Sequence, residues 1–376
     1  MAETQFSEGL EDVVASTSEI CFIDGEEGRL VYRGYDIHDL VNGGCTFEEV
    51  IYLLWNGELP TQAQLDEFVS RLRAERALNP KVIDALKQLP ATGNAMEMLR
   101  TLVSVAGLYD PDEANSSYEA RVRKATRLIS QLPTMVAAIE RFKNGQELIA
   151  PHATLNFAGN FIYMLTGNEP DNYINRSFEI ALILHADHEL NASTFSARVT
   201  AATLSDMYSA ITSAVGTLKG PLHGGANEQV MLMIKEIGTL DNAETWIRKA
   251  LEDKRKIMGF GHRVYRTEDP RATHLRRMSK EMGERNGDST YYEISKVVEG
   301  VVKELKNLNP NVDFYSASTY YMMGFPIHLF TPIFAVSRIS GWTAHVLEQY
   351  RNNRLIRPRA DYLGIKRRDY VPIQNR

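Results

Sequence analysis

The sequence has little from which to build a disulfide framework, a membrane span or a nucleic-acid surface. Its 376 residues include two cysteines, Cys21 and Cys45, and no CxxC or Cys/His zinc spacing. That pattern points to a reducing, cytoplasmic home. Positive charge is not in excess. The formal net charge of −6 argues against a general nucleic-acid binder. Any anionic partner must be met by a local cluster of arginines. Long apolar runs are also missing. The longest stretch without formal charge, Phe314–Ser337, is broken by Gly324, Pro326, His328 and Pro332 and reads as buried protein, with no membrane partner expected. The opening MAETQFSEGLEDVV has neither a basic n-region nor an apolar h-region, so no signal peptide is expected.

Strand signals are scarce as well. The only clear one is ICFIDGEEGRLVYRGY, two apolar runs around an acidic, glycine-containing turn, which predicts an N-terminal β-hairpin. The remainder reads as helix. TFEEVIYLLWNGELP offers Thr46 as N-cap with Glu49 three residues on, a capping box, and stops at Gly57 and Pro60. DNAETWIRKALEDKRK offers Asp241 or Asn242 as cap, with Trp246, Ile247, Ala250 and Leu251 as the buried stripe. YYEISKVVEGVVKELKNLNP places Ile294, Val297, Val301 and Leu305 on one face. Glycine-rich KGPLHGGANE (219–228) and the Gly-Phe-Pro of 324–326 are candidate hinges around a smaller charged unit. Both lie beside unusual histidine and aspartate positions, which suits a site in a cleft that closes.

The polar clusters each admit two readings. GPLHGG sets His223 between small residues, either as a surface cap or where bare backbone meets a ligand. GFGHRV sets His262 after two glycines, and it is no dinucleotide fingerprint because GxGxxG fails at Val264. Lys254, Arg255 and Lys256 before it are either a solvated helix end or phosphate contacts. HADHE puts His185 and His188 at helical i, i+3 spacing, a metal pair or a core histidine with a satisfied hydrogen bond. No HExxH accompanies it and no metal is expected. NVDFYS places Asp313 between apolar neighbours after a helix ending at Pro310. A carboxylate there is costly unless it is paired or used as a base. Arg338 and Arg357 also sit among apolar residues, and a guanidinium fork suits carboxylates.

No cluster is specific alone. In order and spacing, GPLHGGANE, MGFGHRVYRTEDPR, NVDFYS, SRISGWTAH and LIRPR, with DHELNAS, GLEDV and YRGYDI before them, resemble citrate synthase over essentially the whole chain. The resemblance implies a mainly α fold in two domains with the small N-terminal hairpin. Residues 1–222 and 324–376 would form the large domain, and 223–323 a small domain carrying His262 and Asp313. It implies condensation of acetyl-CoA with oxaloacetate and hydrolysis of the thioester, with no cofactor. Asp313 resembles the base, His223 the donor to the thioester carbonyl, and His262 the acid toward oxaloacetate. His188, Arg271, Arg338 and Arg357 resemble the oxaloacetate set. Lys256, Ile257, Met258, Gly259, Phe260 and Gly261 match the coenzyme A loop. The short segment before GLEDV resembles the compact dimeric bacterial and archaeal enzymes, in which Arg357 would cross to the partner's site.

Three rivals share parts of this pattern. A 2-methylcitrate synthase has the same catalytic set, and one methylene is worth only about 1–3 kcal/mol of discrimination. A non-catalytic oxaloacetate or CoA sensor would lack Asp313, His223 or His262, and all three are present. A metal-dependent hydrolase built on His185 and His188 would lose activity to a chelator.

Overall fold

A computed structural model describes residues 7–11 and 13–376. Parts of the MAETQFSEGLEDVV reading and of GLEDV therefore lie outside the described residues. The expected hairpin is present, and it gains a strand. β1 (Cys21–Asp24) pairs antiparallel with β2 (Arg29–Tyr32), and β2 with β3 (Tyr35–Asp36). Every other long element is a helix, as expected for a mainly α fold. In chain order they are α1 (Ile37–Asn42), α2 (Phe47–Asn56), α3 (Gln62–Ala74), α4 (Pro80–Lys87), α5 (Ala95–Leu108), α6 (Tyr118–Lys143), α7 (Phe157–Thr166) and α8 (Asn172–His185). There follow α9 (Ala192–Ala202), α10 (Met207–Leu218), α11 (Ala226–Ile237), α12 (Leu240–Glu252), α13 (Pro270–Asn286), α14 (Thr290–Lys306), α15 (Val312–Met322) and α16 (Phe330–Arg351).

Local chemistry sets the ends of these helices. The Thr46/Glu49 capping box forms, and α2 stops at Gly57 in the left-handed region, as its sequence predicts. Four readings need correction. α12 starts at Leu240 after Thr239, so Asp241 and Asn242 lie inside its first turn, where the charge of Asp241 complements the helix dipole. Its buried face is Ala243, Ile247 and Ala250, with Trp246 and Leu251 only half-buried. α14 buries Ile294, Val298, Val301 and Val302, while Val297 is half-buried and Leu305 is exposed. The helix ends at Lys306, not Pro310, because Asn307 takes a left-handed conformation.

The uncharged stretch 314–337 is not one span. It is the body of α15, an exposed turn at Gly324 and His328, and the start of α16, where Pro332 sits in the first turn and breaks no intrahelical bond. No helix among the described residues is long and apolar enough to cross a membrane. α16 is buried along almost its whole length and packs on α6, α8, α9 and α10. Trp342 at its centre is fully buried and donates its indole N–H to Ser193 Oγ at 3.0 Å. α13 packs on α15, and α12 on α14.

Candidate active site

The site begins where α8 ends. α8 stops at His185, so His185 and His188 do not share a helix face, which corrects the i, i+3 reading. His185 is a core group. Its Nδ1 bonds the carbonyl of Ala181 at 2.7 Å, and burial pushes it down to about 3, so it is neutral. The loose carbonyls beyond it are taken up from outside the helix. Arg338 Nε donates to His185 O at 2.8 Å, and Gly341 N to Ala186 O at 3.1 Å. Tyr32 of β2 donates its hydroxyl to the carbonyl of Asp187 at 3.1 Å. A Cβ at Gly341 would lie 2.3 Å from Asp187 Oδ1, so only glycine lets α16 approach this closely. With its backbone so held, His188 faces Tyr265, whose hydroxyl lies 3.3 Å from Nε2.

The other two histidines have their tautomers set by backbone N–H groups. Val264 N and Tyr265 N donate to His262 Nδ1 at 2.9 and 3.1 Å. The neutral ring of His262 therefore carries its proton on Nε2. Ser193 N donates to His223 Nε2 at 3.2 Å, with Ser193 Oγ at 2.8 Å. The neutral ring of His223 therefore carries its proton on Nδ1. Burial, and then Arg271, pushes His262 down to about 4. Burial, and then Arg338, pushes His223 down to about 4. Both are neutral donors near pH 7. His188 is held well below its ordinary value by burial, with Arg271, His262, Arg338 and His223 all contributing. The rings of His188 and His262 lie 5.1 Å apart.

Asp313 stands in the first turn of α15, after the cap Asn311. It is half-buried, and its Oδ1 is sealed without a hydrogen-bond partner. Burial lifts it to about 7, against the pull of Arg271 and Arg338. Among the described residues it forms no salt bridge. Arg271 is buried and paired with Asp269 at 2.7 Å. Burial works against that charge, but Asp269 overrides it and holds the guanidinium above its ordinary range. Asp269 also accepts the N–H of Val312 at 3.1 Å, tying α13 to the turn that bears Asp313. Arg338 is buried too, and burial draws it down to about 10.

The loop before His262 is bare backbone. Gly259 and Gly261 have φ of 84° and 77°, in the left-handed region. A Cβ at Gly259 would lie 2.8 Å from Val230 Cγ2. Asn311 N donates to Gly259 O at 2.9 Å, and Gly261 N to Asn309 O at 3.0 Å, so this loop docks on the chain leading into Asp313. Lys256 is exposed, and Ile257, Met258 and Phe260 are half-buried. Arg255 bonds Glu236 at 2.7 Å and stacks on Trp246, which favours a structural role for it over phosphate contact. A cavity of about 220 Å³ opens beside Gly261, His262, Asp269 and Pro310.

Arg357 is not brought to this point within the chain. It is exposed and lines a separate cavity of about 760 Å³ with Arg33, Arg198 and Glu348. The sequence reading missed Asp269, Tyr265, Ser193 and Tyr32. Asp269 left a legible signal, an N-cap aspartate before a proline at the first helical position. The other three left none, because their roles depend on contacts distant in sequence.

One carboxylate lifted toward neutral pH, two neutral imidazole donors and two buried guanidiniums define an acid–base enzyme for a carboxylate-bearing substrate. The family model "Citrate synthase, C-terminal domain" matches residues 9–359. The chain is 53% identical to citrate synthase 2 of Bacillus subtilis, covering 98% of both chains. It is 51% identical to citrate synthase of Haloferax volcanii, covering 99% of both. 2-Methylcitrate synthase 1 of Corynebacterium glutamicum is 44% identical, covering 100% of both chains. Among solved structures, the ternary complex of Thermoplasma acidophilum citrate synthase with carboxymethyl coenzyme A and oxaloacetate has a TM-score of 0.93 at 33% identity, covering 98% of this chain and 99% of that one. The chain belongs to the citrate synthase family.

Proposed function

We propose that this enzyme condenses acetyl-CoA with oxaloacetate and hydrolyses the resulting thioester to citrate and CoA, feeding acetyl units into the tricarboxylic acid cycle. The observation that carries the residue roles is the pairing of Asp313, lifted to about 7, with the two neutral histidines. Asp313 takes a proton from the acetyl methyl group. Its raised value makes it a stronger base than an ordinary carboxylate. His223 donates from Nδ1 to the thioester oxygen as charge grows there, a contact worth roughly 2.7–4 kcal/mol. His262 donates from Nε2 to the oxaloacetate carbonyl as the carbon–carbon bond closes.

His188, Arg271 and Arg338 hold oxaloacetate. Two carboxylates call for several guanidinium forks, and Arg357 of a partner subunit supplies another in a homodimer. Lys256 to Gly261 receive coenzyme A, and the left-handed Gly259 and Gly261 turn this loop with little side chain in the way of a ligand. Residues 1–222 and 324–376 form the large domain and 223–323 the small one. Packing of α13 on α15 and α12 on α14 supports that division. The free thiols Cys21 and Cys45 suit a reducing cytoplasm.

Thiol release from acetyl-CoA and from propionyl-CoA, each with oxaloacetate, tests the reading. Acetyl-CoA is expected to win in kcat/KM by about tenfold or more. A preference for propionyl-CoA would make this a 2-methylcitrate synthase. No thiol release from either would overturn the reading.

A further inference from the structure

The N-terminal hairpin meets the loop that carries His262, and it does so with glycine. Arg266 N donates to Gly25 O at 2.9 Å. A Cβ on Gly25 would lie 2.3 Å from the carbonyl oxygen of Val264. Across the same turn, a Cβ on Gly28 would lie 2.5 Å from Thr267 Oγ1 and 3.0 Å from Glu268 O. The turn therefore seats its bare backbone on Val264–Glu268 along both edges. Tyr265, inside this span, is buried. It is also one of the two residues whose N–H groups fix the tautomer of His262. The other is Val264, the residue Gly25 touches. A second strut runs in parallel, since His38 Nδ1 of α1 lies 2.8 Å from His274 Nε2 of α13.

We propose that the hairpin tip, Gly25 to Gly28, is a positioning element for His262, clamping the 264–268 loop so that its two N–H groups stay aimed at Nδ1. The proposal deepens the citrate synthase reading and rests on it. Gly25 touches neither substrate nor reacting atoms. It acts through Val264. Its backbone is not left-handed, so alanine is conformationally allowed there and only the contact with the loop is lost.

The test separates the two halves of the reaction. Gly25→Ala is compared with the parent enzyme and with Glu26→Ala, an exposed change in the same turn. Condensation is read by thiol release. The Asp313 and His223 half is read alone as deuterium uptake into the methyl group of acetyl-CoA in D2O. A four-carbon 2-hydroxy diacid, which has no keto group to attack, occupies the oxaloacetate site in that assay. Gly25→Ala should lose about tenfold or more in kcat for condensation, keep methyl exchange within about threefold, and leave Glu26→Ala like the parent. Condensation within about twofold of the parent would overturn the proposal, and so would a parallel loss in both halves. If Gly25→Ala does not fold, hydrogen exchange on the parent decides. The Arg266 amide should be protected when oxaloacetate is bound, and free exchange there would overturn the clamp. A parent enzyme that releases no thiol would instead sink the citrate synthase reading.

Discussion

Ser193 donates its backbone N–H to Nε2 of His223 at 3.2 Å, and this one bond decides which nitrogen of the neutral ring is left to donate. A ring that accepts at Nε2 donates from Nδ1. It does so without positive charge, because burial holds His223 down at about 4. His223→Ala should lower kcat by roughly 10²–10³-fold, the usual cost of one oxyanion-type donor. The oxaloacetate Kd should barely move. Steady-state kinetics with calorimetry checks both, and a weakened Kd with unchanged kcat would assign His223 to binding.

Asp313 also leaves a mark on stability. Folded, it keeps its proton up to about pH 7, whereas unfolded it releases it near ~3.9. The folded state therefore binds more protons across that window, and stability falls as pH rises through it. Asp313→Asn removes the penalty. Its melting temperature relative to the parent should rise from pH 5 to pH 8. Thermal melts at both values check this, and an advantage shrinking toward pH 8 would contradict the burial argument.

How much of this was readable beforehand differs by feature. The Thr46/Glu49 box and the hairpin were legible because their signals are local. The glycines around His262 and the lone Asp313 were also visible, since odd residue types in apolar or bare surroundings stand out. The end of α8 was not. His185 and His188 keep helical spacing in sequence, and the break between them is stabilised by Tyr32, Arg338 and Gly341. The face of α14 slipped because Val297 and Val298 are adjacent and equally apolar. Only the packing of α14 on its neighbours α11, α12, α13 and α15 chooses Val298.

The corrected place of His185 carries a prediction of its own. His185 is fully buried at the end of α8, and the chain leaves the helix before His188, so the two do not form a helical i, i+3 ligand pair. EDTA should leave thiol release within about twofold of the untreated enzyme. Loss of activity that added zinc restores would revive the hydrolase reading.

Arg357 lies outside its own chain's site, so a shared site makes a sharp expectation. In a homodimer that shares its sites, Asp313→Ala and Arg357→Ala are each expected to be inactive. A mixed dimer has one site with both defects and one with neither, so about half of parental activity per mixed dimer should return. A stable, inactive mixed dimer would place Arg357 in its own subunit's site.

The central claim is that Asp313 takes the methyl proton, and Asp313→Asn tests it most directly. The amide keeps the shape but cannot accept a proton. The measurement is kcat for thiol release alongside the Kd for oxaloacetate. A fall in kcat of roughly 10²–10⁴-fold, with Kd within about threefold, is the predicted result. Turnover near the parental rate would show that the base lies elsewhere.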